Sequence, residues 1–375
     1  MKSNSSLFCD QVQSQVLGIH PYIPGKPVSE LQRELGLETI TKLASNENPL
    51  GASPKVIDAI KNELSDIARY PDGSAYALKQ ELTKFLAVND TQLAIGNGSN
   101  EVLELVARVF AGPGDEIIYS QYAFAVYPIS TQVVGATGVE VPAKDWGHDL
   151  SAMLAAITDK TKIIFIANPN NPTGTFFTQT QWQEFINAVP KHIIVVLDEA
   201  YLEYAKSFLD EKRYFDGVDY IEGHNNLLVS RTFSKAYGLA SLRIGFLVGN
   251  EEVIQYINQM REPFNVNHYA QVAAQVALQD QAFVNEAVLL NQQGMRQITD
   301  AIETLGLEYI RSIGNFVCID CGDKAQHYNQ KLLEEGVIVR PVANYGMANY
   351  LRVSIGTQVE NQYFIDALKK VLQAN

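Results

Sequence analysis

A chain of 375 residues is long enough for a large core and more than one domain, and 46% hydrophobic with 19% charged residues excludes extensive disorder. The net charge of −13 comes from 29 basic and 42 acidic residues with no basic cluster, which argues against nucleic acid and anionic membrane as partners. An anionic small molecule stays compatible, because one or two placed arginines hold it whatever the net charge.

The N-terminal "MKSNSSLFCDQVQSQV" lacks the apolar run of a secretion signal, and no stretch reads as a membrane span, so a cytoplasmic protein is expected. "LAIGNGSNEVLELV" reads as a strand running through Gly98, Ser99 and Asn100 into a helix. Free N–H groups and the helix dipole there suit a phosphate, although an ordinary capped helix start has the same look. "DEIIYS" and "TKIIFIANP" are further strands, the second leading into "ANPNNPTG" with Asn171 before a stiff turn. After the helical "TQWQEFINAV", the strand "HIIVVLDEAY" ends in Asp198, with Tyr201 three residues later. A carboxylate at that place serves equally as a helix cap. "NLLVSRTFS" and "RIGFLVGN" complete the buried runs, and between them "SKAYGLASLR" carries Lys235 without neighbouring charges and Arg243 eight positions on.

Apolar strands alternating with amphipathic helices predict an α/β fold with a mainly parallel sheet flanked by helices. From 255 to 300 the pattern is long and helical. "NFVCIDC", "GVIVRPV" and "NYLRVSIGT" then predict a small sheet closed by "VENQYFIDALKKVLQAN". The expected division is an N-terminal arm (1–44) packed on the small domain, a large domain (45–265) and a smaller α+β domain (266–375). Three cysteines argue against a disulfide framework. Cys318 and Cys321 spell CxxC on an alternating strand, which places them on opposite faces and makes a redox or zinc role a poor fit. The six histidines form no ligand pair, so no metal site is expected.

Taken in order, the NPTG turn, the D-x-x-Y after a strand and the S-K with its later arginine resemble the fold-type I pyridoxal-phosphate aminotransferases across nearly the whole chain. "HPYIPGKP", "KLASNENPLG", "RYPDG", "GNGSNE", "RTFSKAYGLASLRIG", "REPFN" and "LRVSIGT" narrow the resemblance to the histidinol-phosphate aminotransferases. The chemistry asks for these residue types. A lysine kept from water has a lowered pKa and attacks an aldehyde to form a Schiff base, the role implied for Lys235. The resemblance implies that Asp198 holds the cofactor's ring nitrogen protonated, that Asn171 and Tyr201 bond its phenolic oxygen, and that Phe124 stacks on its ring. It assigns the phosphate to Arg243, Thr232, Ser234 and the Gly98–Asn100 turn. It assigns Tyr70 to the phosphate of a neighbouring subunit, which implies a homodimer with shared sites. Asn100 stands where the family more often has aspartate. Tyr22, Arg340 and Arg352 are the implied contacts of the substrate anion. The implied reaction exchanges an amino group between histidinol phosphate and 2-oxoglutarate, giving imidazole-acetol phosphate and glutamate in histidine biosynthesis. An aromatic amino acid aminotransferase is the alternative on this scaffold. A phospho-amino-acid decarboxylase and a non-catalytic cofactor-binding regulator are the further ones.

Overall fold

A computed structural model of the chain describes residues 11–19, 25–37, 39–209 and 213–373. Its first strands are Thr41–Lys42 (β1), Leu93–Gly96 (β2), Glu116–Ser120 (β3), Thr137–Val141 (β4) and Thr161–Ala167 (β5). Ile194–Asp198 (β6), Leu227–Thr232 (β7), Gly245–Gly249 (β8) and Tyr309–Ile310 (β9) follow. The last are Phe316–Asp320 (β10), Val337–Ile338 (β11), Arg340–Pro341 (β12) and Tyr350–Ser354 (β13).

Seven strands form one sheet in the order β2-β8-β7-β6-β5-β3-β4, where β8 runs antiparallel to both neighbours and every other pairing is parallel. The mainly parallel α/β sheet expected from the apolar runs is therefore present. Those runs have no polar face because helices cover both sides. On one side Val195, Leu197 and Val229 meet Trp182, Phe185 and Ile186 of the helix Gln179–Ala188, which a Thr178–Gln181 capping box starts. On the other side Val196, Phe165 and Leu228 meet Val102, Leu103 and Val106 of the helix Ser99–Phe110 and the ring of Tyr127. The helix His268–Gln279 also buries Ala270, Ala273 and Ala277 in the first of these cores.

The C-terminal strands form a separate antiparallel sheet, β12-β13-β10-β9. Alternation along β13 divides its residues. Leu351 and Val353 pack with Val317 and Ile319 in the small core, while Arg352 and Ser354 project from the opposite face. Leu43 of the N-terminal segment joins the same core. Cys318 and Cys321 are free thiols in two different clusters, and burial pushes each up to about 12. Among the described residues no helix is long and apolar enough to cross a membrane, and no group of three or more His, Cys, Asp and Glu residues could hold a metal.

Candidate active site

The carboxyl ends of β5, β6 and β7 open on a cavity of about 450 Å³. Asp198 closes β6 on the same face as Ile194 and Val196, so alternation delivers its carboxylate to the Phe165 side of the sheet. There the Tyr127 hydroxyl donates to its Oδ2 at 2.9 Å. Tyr127 is fully buried and stacked on Phe165, with centroids 4.9 Å apart and planes at 8°. Oδ1 of the same carboxylate is buried with no hydrogen bond of good geometry, the Ala200 N–H helps to hold the charge, and Asp198 lines the cavity. Burial pushes Asp198 up to about 6 against the lowering effect of the Tyr127 bond. A buried acceptor left open in this way is costly, and the cost is relieved by a ligand that brings a donor.

Lys235 follows the end of β7, and its Nζ donates to the Ser45 carbonyl at 3.2 Å and sits 5.6 Å from the Tyr201 ring centroid. Burial first, then the guanidiniums of Arg352 and Arg243, lower its pKa to about 8. Burial pushes Tyr201 up to about 12, so its hydroxyl stays protonated, and its oxygen accepts from Asn46 Nδ2 at 3.0 Å.

One end of the cavity gathers donors for an anion. Gly98 caps the helix Ser99–Phe110 at a φ of 85°, and a Cβ there would lie 2.5 Å from Arg243 Nη2. Only glycine lets the guanidinium close on the helix N-terminus. Arg243 Nη1 reaches Ser234 Oγ at 3.3 Å, and Thr232 Oγ1 accepts the Ser234 N–H at 3.1 Å. At the other end Arg340 and Arg352 face each other across β12 and β13, both buried and both in the cavity wall. Arg352 donates to Asn171 Oδ1 at 2.5 Å and to the Ala44 carbonyl at 3.0 Å.

The cavity wall thus brings together Ser99, Asn100, Phe124, Asn171, Asp198, Tyr201, Thr232, Ser234, Lys235, Arg243, Arg340 and Arg352. Gly98 adjoins it beneath Arg243. Tyr70 is elsewhere on the chain, 83% exposed and stacked on Phe264 at 4.8 Å. Tyr22 lies outside the described residues. Sequence reasoning did not single out Tyr127 or Asn46, which hold Asp198 and Tyr201. Tyr127 lies in the first turn of the helix Val126–Val133, three residues after Phe124, whose carbonyl accepts its N–H at 3.0 Å, and no sequence motif marks it.

The family model of class I and II aminotransferases matches residues 38–368. A histidinol-phosphate aminotransferase 2 of Hydrogenovibrio crunogenus is 61% identical over 373 residues, 99% of each chain. One of the same name from Pseudomonas aeruginosa is 53% identical, covering 97% of this chain and 98% of the relative. Among solved structures, the histidinol-phosphate aminotransferase of Sinorhizobium meliloti in complex with pyridoxal-5'-phosphate superposes with a TM-score of 0.88 at 27% identity, covering 97% and 98% of the two chains. Aspartate aminotransferase of Thermus thermophilus with maleate shares the fold, with a TM-score of 0.83 at 22% identity over 97% and 99%. With near-complete coverage by relatives of one activity, and with its strand-end polar residues gathered in one cavity, the chain belongs to the class I and II aminotransferases.

Proposed function

We propose that this enzyme transfers the amino group of L-histidinol phosphate to 2-oxoglutarate, giving imidazole-acetol phosphate and glutamate as a step of histidine biosynthesis, with pyridoxal 5'-phosphate as cofactor. The observation that carries the reading is a cavity whose wall holds Arg243 beside the Gly98 turn, the facing pair Arg340 and Arg352, and the buried Lys235. Two anion sites are what a phosphorylated cofactor and an anionic substrate require together.

The residues present fit the cofactor. The orphan Oδ1 of Asp198 is a ready acceptor for a ring N–H. Arg243, Thr232, Ser234 and the Gly98–Asn100 amides would hold the phosphate, Phe124 would lie on the ring, and Asn171 with Tyr201 would take the phenolic oxygen. When bound, the cofactor supplies an aldehyde and an electron-withdrawing ring. Lys235, whose pKa burial lowers to about 8, would bond to that aldehyde and, once released by the incoming amine, would take a proton from the substrate carbon and return one. Asp198, ionised above about pH 6, would accept from the ring nitrogen, with Tyr127 fixing one oxygen. Asn100 serves through its backbone N–H, which an aspartate there would supply equally. Arg352 and Arg340 orient the substrate anion, and Tyr22 is proposed as a further contact.

Two chains sharing their sites are part of the same reading. The exposed Tyr70–Phe264 stack, with Leu64 and Ile67 exposed in the same segment, supports a covering partner chain. We place the enzyme in the cytoplasm. We divide the chain into an arm (1–44), a large domain (45–265) and a small domain (266–375); the two sheets have separate cores, while the helix His268–Gln279 packs in the core of the large one. The test is a panel of amino donors with 2-oxoglutarate, read by glutamate formation. Histidinol phosphate is expected to be the best donor, and a better rate with phenylalanine would overturn the substrate assignment.

A further inference from the structure

A phenol has one hydrogen, and what Tyr201 does with it depends on its neighbour. Asn46 is buried at a φ of 54°, a left-handed conformation that asparagine tolerates. Its N–H donates to Ser354 Oγ at 2.8 Å, and the Ser354 hydroxyl is also 2.8 Å from Asn46 Oδ1. Ser354 Oγ accepts the backbone N–H and gives its own hydrogen to Oδ1. With Oδ1 so engaged, the other amide atom faces Tyr201. Nδ2 is turned to the Tyr201 oxygen at 3.0 Å. Nδ2 only donates, so the phenol accepts, and its single hydrogen stays available for an acceptor in the cavity. Asn315 Nδ2 pins the Asn46 carbonyl at 3.0 Å, and Ser354 shares its strand face with Arg352.

We infer that Asn46 is a positioning residue: through the Ser354–Asn46–Tyr201 chain it commits the Tyr201 hydroxyl to donate into the cavity. The inference rests on the cofactor reading above, since the acceptor it implies is the phenolic oxygen of pyridoxal phosphate. The charged and titratable groups around Tyr201 include Lys235, Arg352, Asp198, Tyr127, Tyr204 and Tyr345, with the Phe316 ring edge-on at 5.2 Å. With its pKa near 12, Tyr201 keeps its hydrogen across neutral pH.

Asn46→Asp tests this because a carboxylate of the same shape accepts where the amide donated, drawing the Tyr201 hydrogen out of the cavity. Donation to the phenolic oxygen withdraws electron density from the conjugated cofactor and lowers its proton affinity. Losing that donation therefore raises the pH at which the bound cofactor's visible absorbance changes. Spectrophotometric pH titration of the loaded protein should show a rise of about one pH unit for Asn46→Asp, the scale of one buried hydrogen bond. Tyr201→Phe should give a rise of similar size, and the double variant should match Tyr201→Phe alone. Ser354→Ala, which lets the amide turn over, should shift the midpoint the same way by less, and it keeps the test alive should Asn46→Asp not fold. A shift from Asn46→Asp that persists undiminished with Tyr201→Phe would show the new charge acting directly and would overturn the inference. So would an unmoved midpoint in both Asn46→Asp and Ser354→Ala. A wild-type protein that acquires no visible band with pyridoxal phosphate would instead refute the cofactor reading.

Discussion

Asp198 and Glu199 are consecutive carboxylates, both almost wholly buried, and they serve opposite faces of one strand end. Burial pushes both above the usual carboxylate range, Asp198 to about 6 and Glu199 to about 7. On the Glu199 side every oxygen is partnered. Oε2 accepts Arg231 Nε at 3.1 Å and Nη2 at 2.8 Å, Oε1 accepts the Gly217 N–H at 2.8 Å, and Asp216 completes the ion cluster with Arg231. On the Asp198 side one oxygen is held by Tyr127 and the other, with only the Ala200 N–H nearby, makes no hydrogen bond of good geometry. The next strand repeats the division, with Arg231 toward the cluster and Thr232 toward the cavity. Equal burial thus yields a closed structural pair on one face and an incomplete, ligand-seeking group on the other. Completeness of partnering, more than burial or pKa, distinguishes them.

If the cavity face carries the chemistry, the largest effect belongs to Lys235. Lys235→Ala should lose nearly all transamination while still binding pyridoxal phosphate through the phosphate and ring contacts. Borohydride reduction followed by peptide mapping should find the cofactor fixed on Lys235, and an adduct on another lysine would sink the site. Burial depresses this amine to about 8 from the ordinary 10.5, and the neutral form is the reactive one. Capture of the cofactor by the cofactor-free protein should therefore quicken as pH rises through about 8 and then level off, well below the range of an ordinary lysine.

Breaking the closed face should cost stability instead. Glu199→Gln leaves the buried Arg231 with Asp216 alone, and removing one partner of a buried ion pair costs about 3 kcal/mol. Denaturant unfolding should show that loss, while turnover of the folded, cofactor-loaded protein should fall less than in Asp198→Asn. The reverse outcome, a stable variant with crippled turnover, would mean that Glu199 belongs to the chemistry.

For Asp198→Asn, a drop in turnover of at least ~100-fold is expected, as for removal of an electrostatic stabiliser. Stability should move the other way. The folded pKa of Asp198, about 6, lies above its unfolded value of 3.8, so the favourable contribution is complete below about pH 4 and lost as pH rises through about 6. Above that range the cofactor-free wild type carries a buried charge that the amide lacks. Asn at this position should therefore match or exceed wild-type stability at pH 7, read by thermal unfolding without cofactor. Near-normal turnover would reduce Asp198 to a helix cap.

The open face was largely legible because its residues sit in local motifs at strand ends. Asp198, Asn171 and Lys235 each announce themselves as polar residues where an apolar run stops. Their supports were hidden because they come from elsewhere. Tyr127 is 71 positions from Asp198, and Ser354 is 308 positions from Asn46. Alternation does separate Asp198 from Glu199 in the sequence, but which face opens on the cavity depends on how the helices cover the sheet. The Glu199–Arg231 pair joins residues 32 positions apart and carries no motif. Tyr70 shows a different limit, since nothing local to its own chain makes it part of the cavity.

The smallest effect concerns the far end of the cavity, where Arg340 and Arg352 stand opposite each other on neighbouring strands. A phosphate of two negative charges gains more from a second guanidinium than a carboxylate of one. The wild type should therefore prefer histidinol phosphate to phenylalanine in kcat/KM. Arg340→Ala should narrow that preference by roughly tenfold, because a hydrogen bond to a charged group contributes about 1.5–3 kcal/mol. Arg352→Ala offers the internal contrast. Its guanidinium also bonds Asn171 and the Ala44 carbonyl, so losing it should weaken histidinol phosphate, phenylalanine and glutamate alike. A specificity role for Arg340 thus predicts a change in the ratio between donors, and a general anchoring role for Arg352 predicts a common loss. An Arg340→Ala variant that slowed every donor equally would merge the two arginines into one anchor, and the preference for a doubly charged donor would then need another source.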